Sequence, residues 1–147
     1  KTLGIPESDL VILNYQVRYF TRDRQAILED MVRLNKEHKP DLVFCPSGFD
    51  VHQDHGTIHL EAKRAFKNIT IFGYEFIWNN YQFATQCFVE LEEDDIRKKV
   101  AAMECYASQS KRLYAKDKLI RSAANYRGLQ VQVEFAEAFE AIRLIIR

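Results

Sequence analysis

Residues 39–55 constrain the fold more than any other stretch of this chain. Lys39-Pro40 interrupts a helical pattern, Leu42-Val-Phe-Cys-Pro46 is continuously apolar, and residues 47–54 turn polar before helical spacing resumes. A strand reads as an unbroken apolar run when helices cover both of its faces. This stretch therefore predicts a buried strand of a mainly parallel sheet that runs through a polar loop into a helix.

The flanking segments extend that pattern. Residues 10–13 form a short branched apolar run suited to a strand. Thr21 or Asp23 can cap a helix in which Ile27, Met31 and Leu34 share a face. After the polar loop, Ile58, Ala62 and Phe66 line a second helix, and residues 70–77 and 83–91 are further strand candidates. Glu92-Glu93-Asp94-Asp95 opens another helix, with negative charge at the positive end of its dipole and Ile96, Val100, Met103 and Ala107 on its inner face. Residues 135–146 fit a strand or a helix, and Tyr126-Arg127-Gly128 resembles a turn. Strand–helix alternation with short connections predicts a three-layer, Rossmann-like α/β sandwich with a mainly parallel sheet, built as a single domain over residues 1–147. Leu3-Gly4-Ile-Pro6 resembles the end of a helix, so the sheet is expected to lack its first strands and the chain to be an N-terminally truncated fragment.

Composition narrows the class of function. Across 147 residues, 21 Lys+Arg balance 21 Asp+Glu, which leaves no basic excess for binding nucleic acid by counterion release. No apolar run is long enough to span a bilayer and the N-terminus has no signal-peptide pattern. Cys45, Cys87 and Cys105 lack CxxC spacing and are expected to be buried free thiols in a reducing, cytoplasmic setting.

Chemistry is concentrated in Asp50-Val-His52-Gln-Asp54-His55. Ligands of open parallel sheets bind beyond the carboxyl ends of strands, which is where this segment falls. Two imidazoles and two carboxylates are costly to bury unless they ligate a metal, pair or move protons, and neutral imidazole with carboxylate suits zinc. His52 and Asp54, two residues apart, are placed to form a carboxylate–imidazole pair. The bland alternative is a surface loop in which Asp54 caps the next helix and both histidines are solvated. His38 reads as solvated and His59 as a surface or supporting histidine.

Lys39-Pro-Asp-Leu-Val-Phe-Cys-Pro46 followed by Asp50-x-His52-x-Asp54-His55 resembles a conserved block of the PIG-L/LmbE-like zinc-dependent N-deacetylases. Lys99-x-x-Ala102-x-x-x-Tyr106-x-Ser108-Gln109, Ala136-Glu-Ala-Phe139 and Gly73-Tyr74-Glu75 resemble later parts of the same family. The resemblance implies hydrolysis of an acetamide on an N-acetylglucosamine-type sugar or sugar conjugate. It implies His55 as a zinc ligand, His52 as the group that stabilises the oxyanion, and Asp54 as the residue that orients His52. The family's His-Pro-Asp-Asp block, with the remaining zinc ligands and the base, does not occur in these residues. The chain alone is therefore expected to be inactive, with the other ligands coming from outside it, whether it is a fragment or a naturally shortened protein.

Among Arg18, Arg22 and Arg24, Arg24 is singled out to meet an anionic part of the substrate. Trp78 fits packing or a sugar face, and Ser108 and Gln109 fit a helix cap or a substrate hydroxyl. The rival function is a non-catalytic carbohydrate- or partner-binding domain with a degenerate metal site. A flavodoxin-like regulatory domain would have no use for His52, Asp54 and His55 together. Metal identity (zinc, with iron or cobalt as alternatives), the exact sugar and a homo-oligomeric state stay open.

Overall fold

The computed structural model describes residues 2–109 and 111–147. Among the described residues, four helices, α1 (Phe20–His38), α2 (Gln53–Ala65), α3 (Glu93–Glu104) and α4 (Asp117–Val131), accompany four strands, β1 (Leu42–Pro46), β2 (Thr70–Tyr74), β3 (Cys87–Leu91) and β4 (Phe135–Arg143). The strands lie in the order β1-β2-β4-β3. The α/β, Rossmann-like class expected from the sequence is the one observed. Its sheet is mixed, because β1 and β2 pair parallel while β4 runs antiparallel to β2.

By internal contacts the chain divides into two units, residues 14–87 with 138–147, and residues up to Leu13 with 88–137. In the larger unit, α1 and α2 pack on β1 and β2 around Leu28, Cys45, Ala62, Ala65, Phe66 and Ile71. Lys39 ends α1 in the left-handed conformation, a common way for a helix to stop, and Pro40 follows directly. In the smaller unit, Ile96, Ala124 and Phe135 form a second core with Leu91 and Val100. A reciprocal capping box between Glu92 and Asp95 starts α3, consistent with the acidic run.

Several expectations change. Residues 10–13 form no strand and are exposed, Ile12 by 89%; branched residues favour a strand only where a ladder partner and a packing surface are present. Residues 83–86 likewise precede β3 without joining it. β1 is buried on one face only, with Leu42 and Phe44 exposed, and Phe44 instead meets Phe72 and Phe139 on the sheet surface, ring centres 6.1 and 5.2 Å away. Ala107 lies past the end of α3 and is exposed. Cys45 is buried, but Cys87 is half-buried and Cys105 exposed; all three are free thiols. Residues 135–143 resolve as strand, their Ala/Glu content overridden by pairing with β2. No helix among the described residues is long and apolar enough to cross a membrane.

The largest omission is α4, which contains Tyr126-Arg127-Gly128 in place of a turn. Its inner face is Ile120, Ala124 and Gly128, mostly small residues that leave a weak hydrophobic period. Gly128 is there for space. A Cβ on it would sit 2.6 Å from the Val133 carbonyl oxygen and 2.7 Å from that of Glu134. Gly128→Ala gains roughly 1 kcal/mol in helix propensity, yet it overpacks against rigid backbone. A net loss of about 1–3 kcal/mol is expected, measured as a lower urea midpoint with unchanged slope.

Burial pushes the Cys45 thiol up to about 12, with the Glu140 carboxylate adding to the shift and Lys63 opposing it. The neutral thiol is favoured by folding, so this contribution to stability is complete below the unfolded value of ~8.5 and lost as pH rises towards about 12. At pH 8 iodoacetamide should label Cys105 in the native protein and Cys45 only after unfolding, as read by mass spectrometry.

Candidate active site

Every residue of the site described below belongs to the larger unit. β1 ends in Pro46, and the loop that follows is pinned at its start. Ser47, fully buried, donates through Oγ to Glu140 Oε2 at 2.8 Å, and the Gly48 N–H donates to the same oxygen at 2.9 Å. β2 makes room for this carboxylate with Gly73, whose added Cβ would meet Glu140 Oε2 at 3.0 Å. His59, buried on α2, uses Nδ1 to contact the Pro46 carbonyl at 3.1 Å. It supports the loop from behind.

Asp50 organises the rest. Its side chain is 1% exposed. One oxygen accepts the His52 N–H at 2.8 Å, and the other lies 2.7 Å from His55 Nδ1. A carboxylate there fixes the proton on Nδ1 and leaves the Nε2 lone pair of His55 bare, the tautomer a metal-ligating histidine needs. His52 is set the opposite way. It is the N-cap of α2, and its Nδ1 accepts the Asp54 N–H at 3.2 Å. The proton of neutral His52 is thereby placed on Nε2, as a donor. The two rings stack at 4.6 Å.

Phe76 stacks on the other face of His55 at 5.1 Å, and Trp78 lies against Phe76 at 4.9 Å. This aromatic segment is tied to the loop by the Val51 N–H to the Asn79 carbonyl (3.2 Å) and by a bridge between Asp50 and Asn80. Asn80 Oδ1 accepts the Phe76 N–H at 2.9 Å, which fixes the turn. Burial pushes the Tyr74 phenol at the end of β2 up to about 12, with a Cys45 thiolate, formed only in the same alkaline range, and the Asp50 carboxylate adding to the shift. It is a neutral O–H at physiological pH.

Two expected partnerships are replaced. The Asp54 carboxylate does not meet His52; it accepts the Arg18 N–H at 2.6 Å and the Phe20 N–H at 3.3 Å. It thus caps α1 from outside, the role expected of Thr21 or Asp23; α1 has no side-chain cap from its own N-cap residue Tyr19. The Asp54 link to His52 runs through its backbone N–H alone. Arg24 is committed elsewhere, with Nε and Nη2 at 2.7 and 2.5 Å from Glu61 Oε1. Glu61 is fully buried, and Arg64 holds its other oxygen at 2.6 Å.

His55 thus presents a bare Nε2 acceptor, and His52 an Nε2–H donor. Among the described residues no cluster of three His, Cys, Asp or Glu is placed to hold a metal ion, so these residues fit one corner of a zinc site and do not complete it. His38 is exposed. Ser108 and Gln109 lie in a short turn of the smaller unit, where Gln109 Oε1 accepts from the Tyr114 hydroxyl at 2.5 Å. Sequence reasoning missed Asp50 as the partner of His55, and Phe76. The five-residue step from Asp50 to His55, across a helix start, is the signal that identifies the pair.

This arrangement, a polar loop after a parallel strand of a Rossmann-like sandwich, places the chain in a recognisable structural class. No protein-family model and no curated protein matches it, but solved structures do. An N,N'-diacetylchitobiose deacetylase from Pyrococcus horikoshii, complexed with its inhibitor, aligns with a TM-score of 0.73 at 19% identity, covering 95% of this chain and 58% of that one. The zinc-inhibited form of a teicoplanin deacetylase aligns at 0.66 and 17% identity, covering 92% and 58%. The 4-carboxy-2-hydroxymuconate hydratase of Pseudomonas putida KT2440 aligns at 0.63 and 16%, covering 84% and 60%. The chain spans about three-fifths of the length of these structures. At such identities the likeness is one of fold, and this fold carries both deacetylases and a hydratase.

Proposed function

We propose that the chain is the larger part of a PIG-L/LmbE-like, zinc-dependent hydrolase that removes the acetyl group from an N-acetylglucosamine-type sugar. The observation that carries this is the Asp50–His55–His52 arrangement: one imidazole fixed with a bare Nε2 beside a second fixed as an Nε2–H donor. His55 would ligate zinc, together with ligands from outside the described residues. Bound there, zinc would supply an activated water and polarise the acetyl carbonyl. His52 would donate its Nε2–H to the carbonyl oxygen as negative charge develops on it. That needs no cationic ring, since protonating Nδ1 would break the bond from the Asp54 N–H. The deacetylase neighbours support this choice over hydration, as does the His52-x-Asp54-His55 pattern with Tyr106-x-Ser108-Gln109.

The competing proposal, a carbohydrate-binding domain without catalysis, is supported by the incomplete donor set. Zinc stoichiometry and acetate release from N-acetylglucosamine and its disaccharide, measured on protein that includes the segment supplying the remaining ligands, separate the two. Release that follows zinc loading and stops with a chelator supports the hydrolase. Sugar binding by zinc-loaded protein without acetate release supports the binding domain and ends the hydrolase proposal.

A further inference from the structure

Of the three arginines around the start of α1, two are already occupied. Arg22 pairs with Asp23 at 2.8 Å, and Arg24 is held by Glu61. Arg18 differs in every respect. Its guanidinium makes no ion pair or hydrogen bond among the described residues, and its backbone sits at φ +74, in a region that L side chains rarely adopt. The other non-glycine residues with positive φ are Lys39 and Gln132, both at helix C-termini, where that conformation is ordinary. Arg18 follows no helix. The Asp54 carboxylate holds it there, 2.6 Å from its N–H, and the N–H of the same Asp54 bonds to His52.

We infer that Arg18 binds an anionic oxygen group, phosphate or carboxylate, on the molecule that His52 and His55 engage; this rests on the proposed function for the identity of that molecule. Two hydrogen bonds through Asp54 connect the Arg18 backbone to His52. The nearby carboxylates are occupied: Asp50 by the His52 N–H and His55, and Asp54 by two backbone N–H groups. Neither has an oxygen free of these bonds to neutralise the guanidinium, whose planar fork matches phosphate or carboxylate in two-point contact. A glycine or asparagine would fit this backbone with less strain, so the side chain is what arginine adds.

The test follows the imidazole NMR signals of His52 and His55 during titration with inorganic phosphate and, separately, malonate. Arg18→Gly is expected to weaken the binding at least tenfold, Arg18→Asn to do the same, and Arg22→Ala to leave it within twofold. Both Arg18 variants should keep or raise the Tm, because they relieve the backbone. A preference for phosphate assigns a phosphorylated ligand, and a preference for malonate a sugar acid. No shift with either anion, unchanged binding in Arg18→Gly, or a Tm drop shared by both Arg18 variants would overturn the inference. Neutral N-acetylglucosamine is titrated in parallel: if it alone fails to shift the histidines, the deacetylase proposal suffers while the anion result stands.

Discussion

In a protein that also carries the segment supplying the remaining zinc ligands, replacing His55 with alanine is expected to remove zinc retention and acetate release together, while His52→Ala keeps the metal and lowers kcat by about 10²–10³-fold. The two imidazoles are neighbours in one stack, yet their hydrogen bonds set opposite tautomers, so their losses should separate. Asp50→Asn is the sharper variant. It keeps the shape of the loop but no longer enforces the Nδ1 proton of His55, and the expected cost is about 10–100-fold in metal affinity. Metal analysis after gel filtration, with steady-state kinetics, checks all three. Unchanged kcat in His52→Ala removes the donor role, and full zinc retention in His55→Ala removes the ligand role.

The second large effect concerns stability. Glu61 is wholly buried between α1 and α2, with one arginine on each oxygen. Those arginines are about half exposed, 47% and 50%, so losing either one alone should cost roughly 1 kcal/mol, as a partly solvated pair does. Losing both strands a carboxylate away from water, and Arg24→Ala/Arg64→Ala should cost about 3–5 kcal/mol, well beyond the sum. Adding Glu61→Gln to the double variant should return much of it. Urea unfolding of the four proteins measures the coupling; strict additivity would mean that water or another cation serves Glu61.

These two cases mark what the residues disclosed in advance. The apolar run of β1, the 3.6-residue spacing of α1 and α2 and the acidic start of α3 are signals carried by adjacent residues, and each predicted its element. α4 was hidden because its buried face is built from Ile120, Ala124 and Gly128, where close approach replaces hydrophobic volume. Residues 10–13 misled for the converse reason: their branched side chains favour a strand that no described neighbour pairs with. At the site, the cluster of His52, Asp54 and His55 was visible, whereas the assignment of partners was not. Asp50 and Asp54 are both two residues from His52, and only the turn into α2 decides which carboxylate meets an imidazole and which reaches back to Arg18 and Phe20.

The Asp54 carboxylate has a wider consequence. It fastens the beginning of one helix to the beginning of another, and the second of these carries the imidazole pair. Slow amide exchange at Arg18 and Phe20 should therefore rise and fall with the order of the histidine rings, and a nick near residue 17 should loosen both. The orientation of the imidazole pair is then inherited in part from two backbone N–H groups, those of Arg18 and Phe20, that precede Asp54 by 36 and 34 residues.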